Sequence, residues 1–359
     1  VEPFSIAVPD QVLDDLRSRL LDARWPDQIA GIGWDQGTEL GWLRRLTSFW
    51  ANEFDWRAWE RRLNAHEHFI ADGIHVMRRR AAAGNGIPLI LTHGWPGSFL
   101  DYLDMLPLLP GFDVVIPSLP GYGFSRRPPE IGVNYRWTAA RWHRLMGELG
   151  YSRYAVGGGD FGAGVSTFMA IDRPQAVIGL HLTTPELTPE VDEAELSEAE
   201  RAYLAVRRGW DSKERGYSAI QSTKPQTVGY GLNDSPLGLA AYLGEKWHSW
   251  SDATPSDDHL CATLTLYWVT GSITSSMRDY WDNRRFPCPL SYVGTPTAFA
   301  CFANSKVPEG EPPREHLVRL YNISRWTVFP RGGHFAPAEQ PEAVAADLTA
   351  FFSGLAHRP

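Results

Sequence analysis

Two hydrophobic periods take turns along this chain. Over residues 10–22, Val12, Leu13, Leu16, Leu20 and Leu21 fall on one helical face, with Asp10 placed as an N-cap. A meander rich in Gly, Pro and Trp follows. A second helical pattern then covers about 39–64, with Leu43, Leu46, Phe49, Trp50 and Trp56 on its apolar side. From about residue 68 the pattern shortens. "HFIADGIHVMRRR" predicts two strands around a turn at Asp72-Gly73. Buried strands are predicted at 87–94, 112–120, 153–160 and 176–184, with helical stretches at 98–109, 138–149 and 162–172 between them. Strands that alternate with helices predict an α/β fold, a mostly parallel sheet flanked by helices on both faces.

The alternation stops near Pro185. Residues 186–285 carry helical patterns and many Trp and Tyr, without buried strands. It resumes with strands at 292–302 and 326–334 and a last helix at 341–354. Four segments are therefore expected: an N-terminal helical extension with its meander (1–67), a first part of the core (68–185), a helical lid (186–285) and a second part of the core (286–359). The acidic run at 188–202 reads as a solvated face.

Composition narrows the class. Hydrophobic residues make up 43% of 359 and charged residues 21%, enough for a large core and against disorder. A net charge of −8 argues against a nucleic-acid partner. No apolar run reaches the length of a membrane helix, and Val1-Glu2-Pro3-Phe4 begins no signal peptide. Cys261, Cys288 and Cys301 make no CxxC pair, which fits a cytoplasmic location. The abundance of Trp, Tyr and Phe allows a pocket for a bulky apolar ligand.

The stretch "YAVGGGDFGAG" (154–164) carries two overlapping spacings. Gly157, Gly159 and Gly162 satisfy G-x-G-x-x-G, and Gly158, Asp160 and Gly162 satisfy G-x-D-x-G. The first would set pyrophosphate on bare amides at a helix N-terminus, where the Asp160 carboxylate would repel it. The second is a sharp elbow that presents Asp160 as a nucleophile, its charge favoured by the helix end behind it. The elbow is the better account. "HGWPGS" (93–98) follows a predicted strand, so the backbone N–H groups of Trp95 and Phe161 can converge as an oxyanion hole. "RGGHF" (331–335) puts His334 after the last strand, and nucleophile before His is the α/β-hydrolase order. Ser125 in "GYGFS" reads as a turn residue, His93 as a support beneath the oxyanion turn, and His66 and His68 as part of a solvated strand rather than a metal site.

With these residues in view, the chain resembles the epoxide hydrolases of the α/β-hydrolase superfamily, on their microsomal and juvenile-hormone branch. "ARWPDQ", "HGWPGS", "PSLPGYGFS", "GGGDFG", "GYSAIQSTKPQTVGYGLNDSPLGLAAYLGEKWHSW", "SSMRDYW" and "RGGHF" match the landmarks of that branch in order, over nearly the whole chain. The resemblance implies an enzyme that opens an epoxide to a vicinal diol through a covalent aspartyl ester, with no cofactor and no metal. It implies Asp160 as nucleophile, His334 as base, and the lid phenols Tyr217 and Tyr280 as donors to the epoxide oxygen. The acid that partners His334 would follow the penultimate strand. There the aligned position is Ser305 in a lengthened loop, so Glu309 is the choice, with Glu311 next and Glu186 on the preceding strand as rival. The implied partners are water and a small apolar or aryl epoxide; no membrane is involved, and a homodimer is allowed. Detoxification and biosynthesis both fit. The alternatives are a haloalkane or haloacid dehalogenase, against which the paired tyrosines argue, and a catalytically silent ligand-binding relative.

Overall fold

Nine strands form one sheet in the computed structural model of the protein, which describes residues 1–305, 307 and 312–356. They are β1 (Glu2–Pro3), β2 (Glu67–Ala71), β3 (Ile74–Arg79), β4 (Ile87–Thr92), β5 (Phe112–Pro117), β6 (Tyr154–Gly159), β7 (Val177–Thr184), β8 (Val293–Phe302) and β9 (Tyr321–Phe329). Their order across the sheet is β1-β2-β3-β5-β4-β6-β7-β8-β9. From β5 to β9 all neighbours are parallel, while β1, β2 and β3 pair antiparallel. This is the α/β-hydrolase arrangement that the sequence predicts.

The period of two divides the core. Ile90 and Val115 face one side, with Trp142 and Phe168; Leu89, Leu91 and Val114 face the other, with Leu103 and Phe352. Both sides are covered, so the central strands are apolar throughout, as parallel strands require. The helices Tyr135–Glu148 and Phe161–Asp172 build the first side. The 3₁₀ helix Phe99–Leu108 and the helix Pro341–Ala356 build the second.

Between β7 and β8 the described elements are all helical, the longest being Glu198–Glu214, Pro236–Trp250, Asp257–Thr270 and Ile273–Arg285. The N-terminal helices Asp10–Leu21 and Leu40–Asn52 lie against this lid. Hydrogen bonds fix them there: from the first helix the Arg19 guanidinium donates to Asp234 O (2.9 Å), from the second the Trp50 indole donates to Thr265 Oγ1 (2.8 Å), and just before it the Thr38 hydroxyl donates to Ala241 O (2.6 Å). The N-terminal extension thus braces the lid over the sheet. Among the described residues no helix is long and apolar enough to cross a membrane.

Four local expectations are corrected. The pattern at 39–64 is two helices, Leu40–Asn52 and Trp56–Leu63, because Asp55 caps the second by accepting from the Ala58 N–H. Strand β9 begins at Tyr321, five residues before the predicted start, in a stretch whose edge position tolerates Asn, Ser and Arg. His68 is no solvated strand residue; it is buried between Leu63 O and the ring of His75, both at 2.9 Å. Within the acidic run, Glu200 is buried and bonded to His316 and Arg319, so it joins the lid to the segment after β8.

Candidate active site

At the end of β6 the backbone turns into the helix Phe161–Asp172 within one residue. Asp160 makes that turn at φ 53° and ψ −131°, a conformation that L-residues avoid at a cost of about 1–3 kcal/mol. The glycines around it are sterically required. A Cβ on Gly162 would lie 1.9 Å from Thr92 O, and one on Gly158 would lie 2.7 Å from the same oxygen. The close approach of β4 to the helix leaves no room for a side chain at either position. That packing is the physical content of the G-x-D-x-G spacing, and it lifts the Asp160 carboxylate above the sheet.

The carboxylate meets two backbone donors. Its Oδ1 accepts from the Phe161 N–H at 2.7 Å and from the Trp95 N–H at 2.9 Å. The Trp95 donor comes from the turn after β4, which His93 supports from beneath by accepting from the Leu119 N–H at 3.1 Å. Burial pulls the His93 pKa down to about 4, which suits a neutral structural ring. Ser125 is likewise structural, donating to Ser118 O and accepting from the His75 N–H.

The other oxygen, Asp160 Oδ2, faces His334 Nε2 at 3.5 Å. The His334 loop hangs from the lid and from its own next turn. The His334 N–H donates to Trp250 O (3.0 Å), and the Gly332 N–H to Asp252 Oδ2 (2.9 Å). Glu339 closes the clamp by accepting from the Phe335 and Asp252 N–H groups at 3.0 and 2.8 Å. Burial raises the Glu339 pKa, while its backbone donors and the nearby His334 charge work the other way.

Both lid phenols stand over the nucleophile. The Tyr217 ring stacks on Trp95 at 5.5 Å, and the Tyr280 ring stands edge-on to Phe161 at 4.8 Å and to Tyr217 at 5.9 Å. The two residues whose amides bind Asp160 thus also carry the rings that hold the phenols. Burial first, then Tyr217 and the Asp160 carboxylate, push the Tyr280 pKa well up, so it is a neutral donor at pH 7. Trp250 packs on both Tyr217 and His334, giving the cleft an aromatic wall.

The acid position is less complete. Glu309 and Glu311 lie outside the described residues. Glu186 accepts from the Tyr135 hydroxyl at 2.8 Å, and Tyr135 packs on Phe161, the residue after the nucleophile. Ser305, the aligned position, donates to Val307 O at 3.3 Å. His334 Nδ1 is buried and has no hydrogen-bond partner among the described residues. Sequence reasoning brought together Asp160, His334, Tyr217, Tyr280, Trp95 and Phe161, and the structure gathers all six. It missed the clamp of Asp252 and Glu339, for which "HFAPAE" gave a faint signal. It also missed Lys246, buried and paired with Glu245, whose ammonium lies 4.7 Å over the Tyr217 ring.

Comparison with known proteins gives the family of the chain. Residues 1–102 match the family described as epoxide hydrolase N terminus, and residues 87–221 match the alpha/beta hydrolase fold. The chain is similar to Epoxide hydrolase 1 of Oryctolagus cuniculus, 32% identical, with 100% of this chain and 90% of that protein covered. It is also similar to Juvenile hormone epoxide hydrolase 2 of Ctenocephalides felis, 32% identical over 97% of this chain and 84% of that one. The crystal structure of juvenile hormone epoxide hydrolase from the silkworm Bombyx mori superposes with a TM-score of 0.90 at 30% identity, covering 99% of this chain and 95% of that one.

Proposed function

Because the chain belongs to the epoxide hydrolases of the α/β-hydrolase fold, we propose that it opens its epoxide in two half-reactions through a covalent ester on Asp160. The observation that carries this mechanism is the division of labour between the two carboxylate oxygens. Oδ1 is held by the Trp95 and Phe161 amides, so Oδ2 is the oxygen left to attack carbon. As the Oδ2–C bond forms, the strained C–O bond breaks and its electron pair stays on oxygen. Tyr217 and Tyr280 donate to that oxygen, one of them giving up its proton.

In the second half-reaction His334 takes a proton from water, and the hydroxide adds to the ester carbonyl. The charge then gathers on Oδ1, where the two amides already point. Collapse breaks the bond between the carboxyl carbon and Oδ2, the leaving diol oxygen takes the remaining proton of the added hydroxide, and the carboxylate returns. The proton taken from water restores the tyrosine, so the sum is epoxide plus water to diol.

The test uses water enriched in ¹⁸O with enzyme in excess over styrene oxide. Water attacks the carboxyl carbon, not the epoxide. The first turnover should therefore give unlabelled diol, with the label left in the peptide that contains Asp160. Labelled diol in the first turnover would mean that water attacks the epoxide directly.

The phenols give a second expectation. Tyr217→Phe and Tyr280→Phe each remove one of two donors to the developing alkoxide. Loss of a preorganised donor costs about 10²–10³ in rate, less where a second donor remains. Each single change should slow ester formation and leave ester hydrolysis alone, and the double change should be severe. Wild-type single-turnover alkylation by the double variant would remove the tyrosines from the mechanism.

The substrate class follows from the walls. Trp95, Phe161, Tyr217, Trp250 and Tyr280 surround the reacting carboxylate with aromatic faces, which suits an apolar or aryl epoxide. The absence of a CxxC pair among Cys261, Cys288 and Cys301 supports a reducing, cytoplasmic setting.

A further inference from the structure

Behind the nucleophile lies a cavity of about 30 Å³, lined among others by Gly94, Gly97, Asp101, Tyr102, Asp160 and His334. That is room for a water molecule. Three buried polar atoms belonging to its lining residues have no hydrogen-bond partner among the described residues: Trp95 Nε1, His334 Nδ1 and Asp101 Oδ1, of which the last two are a base and a carboxylate. Asp101 lies in the 3₁₀ helix Phe99–Leu108, which follows the oxyanion turn. Its Oδ2 accepts from the Ser98 N–H at 3.2 Å, one half of a capping box. Its Oδ1 is not needed for that role. A buried carboxylate oxygen without a partner costs free energy unless it serves something.

We propose that Asp101 is a positioning residue for ester hydrolysis, its carboxylate linked to His334 through water in this cavity and balancing the charge that the ring acquires. The inference rests on the covalent-ester mechanism proposed above. It supplies what an imidazole base needs in order to be oriented and to hold a proton. Glu339 also faces His334, but both its oxygens are occupied by backbone N–H groups, which makes it a clamp of the loop. The titratable groups around the pair are Asp160 and Glu339 beside His334, the phenols Tyr102 and Tyr267 beside Asp101, and His93, which lines the same cavity and is kept neutral by burial. Both phenols are pushed up and stay neutral, chiefly through burial. Burial raises Asp101 to about 7, so it ionises most readily when His334 is charged.

Asp101→Asn tests this, because an amide oxygen can still accept from Ser98 while the charge is gone. Ester formation and ester decay are followed separately in single turnovers of styrene oxide, with Asp101→Glu, Glu309→Gln and His334→Gln alongside. Formation should be unchanged in Asp101→Asn. Decay should slow roughly 10- to 100-fold, the range known for outer partners of metal-bound imidazoles and less than the loss of a directly bonded acid. The acidic limb of the decay profile should move to lower pH, since a ring without its counter-charge loses its proton more easily. Asp101→Glu keeps both charge and capping box and should recover most of the rate. Unchanged decay and an unmoved pH limb in Asp101→Asn would overturn the inference and leave the ester mechanism standing. A stall confined to Glu309→Gln would overturn it too, placing the acid in the loop after β8. Absence of any adduct in the wild-type and His334→Gln chains would overturn the ester mechanism and this inference with it.

Discussion

Asp160→Asn should abolish turnover while leaving the fold in place. The amide keeps the size of the carboxylate and an oxygen that can accept from the Trp95 and Phe161 N–H groups, so the elbow loses none of its hydrogen bonds. What it loses is nucleophilicity at the oxygen facing His334. Removal of a nucleophile that acts as one unit with its base costs on the order of 10⁴–10⁶ in kcat. Intact-mass measurement should find no adduct, and thermal melting should stay close to wild type. Slow deamidation would restore activity with time, accompanied by a one-dalton gain. Full-rate diol formation by freshly purified Asp160→Asn would end the nucleophile assignment.

His334→Gln should separate the half-reactions. Alkylation needs Asp160 Oδ2 and the phenols, and neither depends on His334 as base. Hydrolysis needs a proton acceptor for water, which glutamine is not at neutral pH. The expected record is one equivalent of epoxide consumed, no diol, and a chain heavier by one substrate on the peptide containing Asp160. Steady-state turnover should fall by several powers of ten. Loss of activity without any adduct would show that His334 acts before the ester forms.

How far the sequence reached can be read from particular residues. Gly158, Asp160 and Gly162 were legible because a close contact between β4 and a helix excludes side chains at fixed spacing, and that constraint is local. Trp95 was legible because it follows a strand whose apolar run stands out, and His334 because "RGGHF" follows the last strand of the chain. Tyr217 and Tyr280 were legible only through resemblance; as two of thirteen tyrosines they carry no local mark. The burial of His68 was missed because its partner, His75, lies across a hairpin whose register places the rings together. Glu200 was missed for a similar reason: His316 is 116 residues away, so nothing nearby distinguishes it from its solvated neighbours. Asp101 carries no mark in the sequence beyond the S-x-x-D spacing from Ser98, a capping pattern that accounts for only one of its oxygens. The dehalogenase and silent-relative alternatives give way to full-length similarity with epoxide hydrolases.

The tie between the lid and the His334 loop bears on how such an enzyme can be re-engineered. Lids are attractive parts to exchange, since they shape the cavity while the core supplies the chemistry. Here the seam does not fall where the helices end. Trp250 O and Asp252 belong to the insertion, yet the base hangs from them, and Asp252 in turn leans on Glu339 of the core. A graft that carries away 250–252 takes the suspension of the base with it. A chimera should therefore keep this stretch and Glu339 from the same parent.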